Sequence, residues 1–467
     1  MGSLLPIPAL AQPAVEAPKP AGMVPAEAKT AADPFTIPYE KYQLANGLTV
    51  LLHRDATQSN VAVNLWYHVG PVNEPSGRSG FAHLFEHLMF EGSKHVGRNF
   101  DTLLESVGGT NMNGTTNWDR TNYFETVPSQ HLELALWLES DRMGFMIDGV
   151  TQERLDIQRE VVKNERRESL ENQPDGPTYL KLMDTLFPVG HPYHGAVIGS
   201  MEDLSRASLS DVHAFFDSFY AASNATLALA GNFEIEAAKA WIEQYFGTLP
   251  KRPTLKIPER PEFAPLAATR LVVQERVELP RVTWAWRVPP AYSAAEAPLQ
   301  LAAKVLTVGK ASRLERALVK TGLANEVSAS LDSNRLASAF VLQARLASGA
   351  TPLAVEKVLE NELKRLAVEG PTDDELKRAR MTFKVALASD LQRLDAPSGE
   401  GGRAGTLQRL DQYLGNPGAL PQVVAAFDAT TRDDVRNMVK QYLDAPHRVV
   451  VLTEPAPAAV GTPEEGR

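Results

Sequence analysis

Apolar and polar positions recur along the chain in short, well-separated stretches, each with a recognisable period. Between residues 42 and 52 an Asn46-Gly47 pair separates two apolar runs, the pattern of two short strands around a tight turn. Residues 61–69 alternate and predict a strand. Residues 70–80 hold Pro, Asn, Ser and Gly, and predict a loop feeding a helix around His83. A second helical segment, 99–107, is closed by Gly108-Gly109. Residues 110–127, rich in Thr and Asn, predict two strands with a turn near 117–119. A polar, Gly-containing strand suits a sheet edge, where backbone groups stay free to pair. Helices are expected at 129–146, 151–171, 177–187 and 208–220, with Pro174 and Pro177 ending the second and a loop at 191–195. A strand at 224–231 and a helix at 235–246 complete this half.

The Pro-rich stretch 248–265 is the clearest boundary, and the same order then restarts. Strands are expected at 270–278 and 281–288, and a helix at 294–308 with Ser293 as its N-cap. A helix at 311–321, strands at 326–332 and 337–345, and long helices at 351–368 and 372–394 follow. Ser398-Gly399-Glu400-Gly401-Gly402 reads as a flexible loop. Helices at 404–414, 418–428 and 430–443 lead to a last strand at 448–452. The repeated order predicts an α+β fold of two tandem homologous α/β sandwich domains, each a mostly antiparallel sheet packed with helices. The expected division is a disordered leader at 1–35, a first domain at 36–250, a linker at 251–268, a second domain at 269–453 and a disordered tail at 454–467. Identity between the halves is weak, so the duplication rests on element order.

Composition narrows the classes. The chain has 467 residues, 43% hydrophobic and 22% charged, enough for two domains of an ordinary globular protein. A net charge of −10 argues against a nucleic-acid backbone or an anionic membrane surface as the main partner. The absence of cysteine excludes disulfides, Cys-type zinc sites and thiol catalysis. No apolar run is long enough to span a bilayer. Met1-Gly2-Ser3 looks like an added start, and Ala9-Leu10-Ala11 fits the cleavage site of an export signal, although the apolar stretch before it is short and no basic residue precedes it. A periplasmic or exported location is the expectation, a cytoplasmic one the alternative.

The chemistry concentrates in residues 80–90, where His83-x-x-Glu86-His87 sits among helix-compatible apolar residues. This is the H-x-x-E-H zinc-peptidase pattern. On a helix, His83 and His87 lie one turn apart on one face and can bind one Zn²⁺. Glu86 beside them can act as a general base without being a ligand. Two histidines and a water leave such a site one ligand short, and the helix at 153–168 offers several acidic candidates.

His83-x-x-Glu86-His87, followed by Arg159-Glu-Val-Val-Lys-Asn-Glu165, resembles the pitrilysin/insulinase family of zinc peptidases. The likeness is to its small-subunit bacterial form, akin to the β subunit of mitochondrial processing peptidase. Asn113-Gly114-Thr115-Thr116 with Thr121-Asn122-Tyr123, His191-Pro192-Tyr193 with Gly199, and Asn224 to Gly231 with Tyr245-Phe246-Gly247 extend the likeness over residues 36–453. The resemblance implies Glu165 as third ligand, one Zn²⁺ per chain, and a peptide substrate laid along Asn113, Gly114, Thr115 and Thr116 as an added strand. It also implies hydrolysis of extended peptides in a closed chamber. Two departures stand out. Gln158 occupies a position where the family often carries a Glu that assists the site. Leu318 or Val319 and Asn325 stand where relatives carry a substrate-gripping Arg and Tyr. The departures point to a homologous partner without the zinc motif, in a heterodimer, supplying Arg and Tyr; a homodimer is the alternative. A non-catalytic structural or chaperone-like assembly subunit of the same fold is the rival reading.

Overall fold

The structure, a computed structural model, describes residues 34–252, 266–444 and 446–457, and from Phe35 on the chain forms one compact unit. The leader up to residue 33, residues 253–265 of the Pro-rich stretch and the tail beyond 457 lie outside the described residues. The first half supplies β1 (Glu40–Gln43), β2 (Thr49–Arg54), β3 (Asn60–Tyr67), α1 (Phe81–Leu88), α2 (Phe100–Ser106), β4 (Thr110–Thr116), β5 (Thr121–Pro128), α3 (Leu132–Phe145), α4 (Gln152–Arg166), α5 (Gly176–Leu186), α6 (Met201–Arg206), α7 (Leu209–Phe219), β6 (Ala225–Gly231) and α8 (Ile235–Phe246). The second half supplies β7 (Thr269–Glu275), β8 (Arg281–Val288), α9 (Glu296–Thr307), β9 (Ala324–Asp332), β10 (Ser338–Leu346), α10 (Pro352–Glu369), α11 (Asp373–Asp390), α12 (Gly402–Leu414), α13 (Leu420–Ala429), α14 (Arg432–Met438) and β11 (Val449–Pro455).

These strands form two sheets, ordered β1-β2-β6-β3-β5-β4 and β7-β11-β8-β10-β9. Each is antiparallel except for one pair, β2 with β6 and β7 with β11. Without β1, the two sheets share one strand order and one set of directions, so the repeat expected from element order is present in the topology. The fold is α+β, as expected.

The alternation in β3 explains its place. Val61, Val63, Leu65 and Tyr67 face a core shared with Phe81, Leu84, Phe85 and Leu88 of α1 and with α3, α7 and α8. The opposite face of each sheet is covered by a helix from the other half. Leu182, Met183 and Leu186 of α5 pack on Ala285, Ala339, Val449 and Val451 of the second sheet. Ala404, Leu407 and Leu410 of α12 pack on Leu51, Ala228 and Ala230 of the first. Polar straps follow the same exchange. Glu275, at the end of β7, accepts from Asp175 N (2.6 Å) and Thr178 N (2.7 Å) at the start of α5. Arg403 of α12 pairs with Asp55, just past β2.

Four local expectations change. The helix expected at 311–321 forms over residues 313–319 and closes as a π-helix, Glu315–Val319. Ser293 does not cap α9; Ala295 holds the N-cap position, and the Ser293 hydroxyl finds no hydrogen-bond partner among the described residues. The loop expected to be flexible, Ser398 to Gly402, is docked on the first sheet, where Gly399 O accepts from Asn64 Nδ2 (2.9 Å) and Asn122 Nδ2 (3.1 Å). The expectation of flexibility took the glycines as freedom, whereas at Gly399 a Cβ would lie 2.2 Å from Asn122 Nδ2. Finally, α6 was not expected; its start is marked by Ser200, whose hydroxyl accepts from Asp203 N (3.0 Å), an N-cap short enough to pass unnoticed.

Candidate metal centre

Helix α1 is amphipathic at a spacing that sorts its residues. Phe81, Leu84, Phe85 and Leu88 are buried in the core, which leaves His83, Glu86 and His87 together on the other side. Its N-terminus is built with care. The Glu74 carboxylate accepts from Gly80 N (2.9 Å) and Ala82 N (2.8 Å), satisfying free amides of the first turn. Gly80 has φ 87°, and a Cβ there would meet Ile198 O at 2.6 Å. Gly199 lies on that same side, where its own Cβ would meet Gly80 Cα at 2.4 Å, so two glycines let the backbones touch. Arg166 donates to Gly199 O. The end of α4 is thereby tied to the start of α1.

Helix α4 buries Leu155, Gln158 and Val162, and Glu165 continues that stripe toward α1. Glu165 Oε2 lies 3.1 Å from His87 Nε2 and 3.7 Å from His83 Nε2. Among the described residues, His83, His87 and Glu165 are the one group whose ligand atoms all fall within 4.8 Å of one another. Burial pushes the His83 imidazole down to about 4, which keeps it neutral, with Glu165 opposing and His87 adding to the fall. The His87 imidazole holds the Glu165 carboxyl below its ordinary range, against burial. Glu165 Oε2 is buried and accepts no hydrogen bond among the described residues. Two imidazole nitrogens and an unsatisfied carboxylate oxygen, converging on one point, are a donor set that fits zinc.

Glu86 stands beside this group. Thr116 Oγ1 donates to Glu86 Oε2 at 2.6 Å. Burial pushes the Glu86 carboxyl up, opposed by the Thr116 hydroxyl and by His87 and Arg120. Gly114 lies against it; a Cβ there would be 2.9 Å from Glu86 Cγ and 3.0 Å from the Phe90 ring. Two residues expected to line substrate therefore also act on Glu86, which the sequence pattern did not reveal. Both lie on β4, the edge strand of the first sheet. Asn113 is exposed there, and its Oδ1 accepts from Gly114 N (2.9 Å). The Thr115 hydroxyl is turned to Asn122 Oδ1 (2.6 Å) and Ser398 O (3.1 Å).

Gln158 is buried near the site and donates to Glu91 Oε1 at 2.6 Å, an acceptor the sequence reading did not single out. A cleft of about 480 Å³ opens between Glu86, His87, Phe90, Glu91, Asn113 and Gln158. Glu160, two residues on, is exposed and pairs with Lys163, so it does not stand in for Gln158. In the second half, Leu318 is buried in the core and Asn325 is exposed on β9.

Both halves match profiles of one family. Residues 49–184 match insulinase (peptidase family M16), and residues 206–383 match the peptidase M16 inactive domain. The zinc protease PqqE of Helicobacter pylori is 28% identical over 360 residues, covering 76% of this chain and 80% of that protein. A crystal structure of a protease from Helicobacter pylori superposes with a TM-score of 0.81 at 26% identity, covering 90% of this chain and all of that one (100%). The first half of the periplasmic protease PqqL from Escherichia coli shares the fold at a TM-score of 0.72 and 17% identity, covering 89% and 91% of the two chains. The chain belongs to the M16 family, the insulinase/pitrilysin-type peptidases. Relatives in it are named zinc proteases.

Proposed function

We propose that the chain is the zinc-bearing subunit of an endopeptidase that hydrolyses extended peptides. The observation that carries this reading is the convergence of His83, His87 and Glu165 on one point with Glu86 held beside them by Thr116. Those three side chains would hold Zn²⁺, which when bound activates water and polarises the scissile carbonyl. Glu86 takes the proton of the attacking water and returns it to the leaving amine, while Thr116 keeps one carboxylate oxygen in place. The exposed edge of β4 at Asn113, beside the cleft, would receive the peptide as an added strand. The two sandwiches are proposed as domains at 36–250 and 269–453, joined by a linker at 251–268.

The test is Glu86→Gln. It should retain one zinc per chain and lose cleavage of an internally quenched peptide by about 10²–10⁴-fold. Normal turnover in that variant would remove Glu86 from the chemistry.

The proposed enzyme takes a homologous partner. Leu318 and Val319 are apolar and Asn325 carries no phenol, so these places hold neither the gripping Arg nor the Tyr that the resemblance expects there. A partner lacking the zinc motif would supply both. The same observation favours a second reading, a non-catalytic assembly subunit. Zinc content together with peptide cleavage, with and without a co-expressed partner, separates the two. Among the described residues no helix is long and apolar enough to cross a membrane. A periplasmic location is part of the proposal, supported by the periplasmic relative, and cell fractionation tests it.

A further inference from the structure

The loop from Ala396 to Glu400 belongs to the second half, yet it reaches the hairpin that carries Gly114 and Thr116. Its seat is built for it. Gly399 O receives three donors, Asn64 Nδ2 (2.9 Å), Asn122 Nδ2 (3.1 Å) and Trp66 Nε1 (3.2 Å), all from the first sheet. At φ 63°, with Asn122 and Phe124 pressed against it, Gly399 admits no side chain. The docking places Glu400 against Arg120. Arg120 is 2% exposed, at the end of the turn that joins β4 to β5. Its Nε lies 3.1 Å from Glu400 Oε1, and its Nη2 also donates to that oxygen. Its Nη1 is 2.6 Å from both Thr115 O and Asn122 Oδ1. Asn117, in the hairpin turn, donates to the same Glu400 oxygen.

One guanidinium thus joins the second half to the strand next to the catalytic base. We propose that Arg120 and Glu400 are positioning residues: Glu400 orients the Arg120 guanidinium, which fixes Thr115 and so the placement of Thr116 against Glu86. A half that carries no zinc ligand then acts on the zinc half through its own loop. Without Glu400, Arg120 keeps its acceptors on Thr115 and Asn122 but loses the acceptor that orients its other two nitrogens. Among the described residues, the Thr115–Thr116 end of β4 has no neighbouring strand on its outer side to hold it instead.

This rests on the peptidase reading for its catalytic consequence, and the experiment separates the two. Glu400→Ala and the near-isosteric Glu400→Gln are made in the full chain. Glu400 is partly exposed, and the Gln variant keeps an acceptor oxygen if the Ala variant does not fold. Amide hydrogen exchange of residues 110–116 is the first readout and needs no activity. It should run about tenfold faster in Glu400→Ala, with Gln in between and β6 unchanged. The second readout is turnover of a quenched peptide by the zinc-loaded protein with its partner. With zinc content unchanged, kcat should fall about tenfold in Glu400→Ala and recover in part in Glu400→Gln. Unchanged exchange at 110–116, or acceleration equal in β6, overturns the proposal, as does loosened exchange with a wild-type kcat. If the wild-type chain holds zinc and cleaves nothing, the peptidase reading fails, and the exchange comparison still decides whether Glu400 holds β4.

Discussion

Glu86 has two neighbours that set how it can move, Thr116 by a hydrogen bond and Gly114 by leaving it room. Thr116→Val keeps the volume and removes the donor. It is expected to lower kcat about tenfold with zinc content unchanged, as read from single-turnover cleavage. Gly114→Ala would place a methyl 2.9 Å from Glu86 Cγ. Its expected signature is the same retained zinc with a larger loss of kcat, and wild-type turnover would show that Glu86 tolerates displacement. Far from the site, a second carboxylate carries a pH signature. Burial opposes ionisation of Glu375, but Arg313 (Nη2 at 2.7 Å) and the Thr372 N–H (2.9 Å) outweigh it and hold its pKa at about 2 rather than 4.5. A carboxyl depressed in the folded state contributes stability above pH 4.5 and loses it as pH falls toward 2. Denaturant melts across that window should fall more steeply for wild type than for Glu375→Gln.

At the scale of elements, α5 and α12 cover each other's sheets. Leu182→Ala or Leu407→Ala should each cost about 2–5 kcal/mol, since each leaves a cavity between the halves. A single cooperative transition for both variants is the expected calorimetric result, because the exchanged helices couple the halves. This exchange was not legible in the sequence. The apolar faces of α5 and α12 say that they pack, not on which sheet. What was legible is local. The α1 stripe showed His83, His87 and Glu86 because they share a face opposite Phe81, Leu84, Phe85 and Leu88. The edge placement of β4 followed from its Thr, Asn and Gly content. Contacts at long sequence separation were missed for a common reason. Gly399 against Asn122 depends on a surface that exists only after the halves pack, and Gly199 against Gly80 and Glu91 against Gln158 on surfaces that exist only once the first half has folded. Composition alone made the Gly399 loop look mobile.

For the whole molecule, the straps from Glu275 to α5 and from Arg403 to Asp55 join the halves on both sides. Such a body is poorly suited to closing on a substrate by itself, which suits the proposed chamber completed by a partner. Mixing the chain with a homologous subunit that carries the Arg and Tyr should raise kcat/KM by at least about 10²-fold, the scale of one supplied oxyanion donor. An unchanged rate would count against the partner. Everything else rests on whether His83, His87 and Glu165 hold a metal. The most direct measurement is diffraction at the zinc absorption edge from crystals of the wild-type chain and of Glu165→Ala. The prediction is one anomalous peak per wild-type chain within bonding distance of all three side chains, and its loss in the variant. A wild-type crystal grown with zinc that shows no peak there, or a variant that keeps it, would contradict the account.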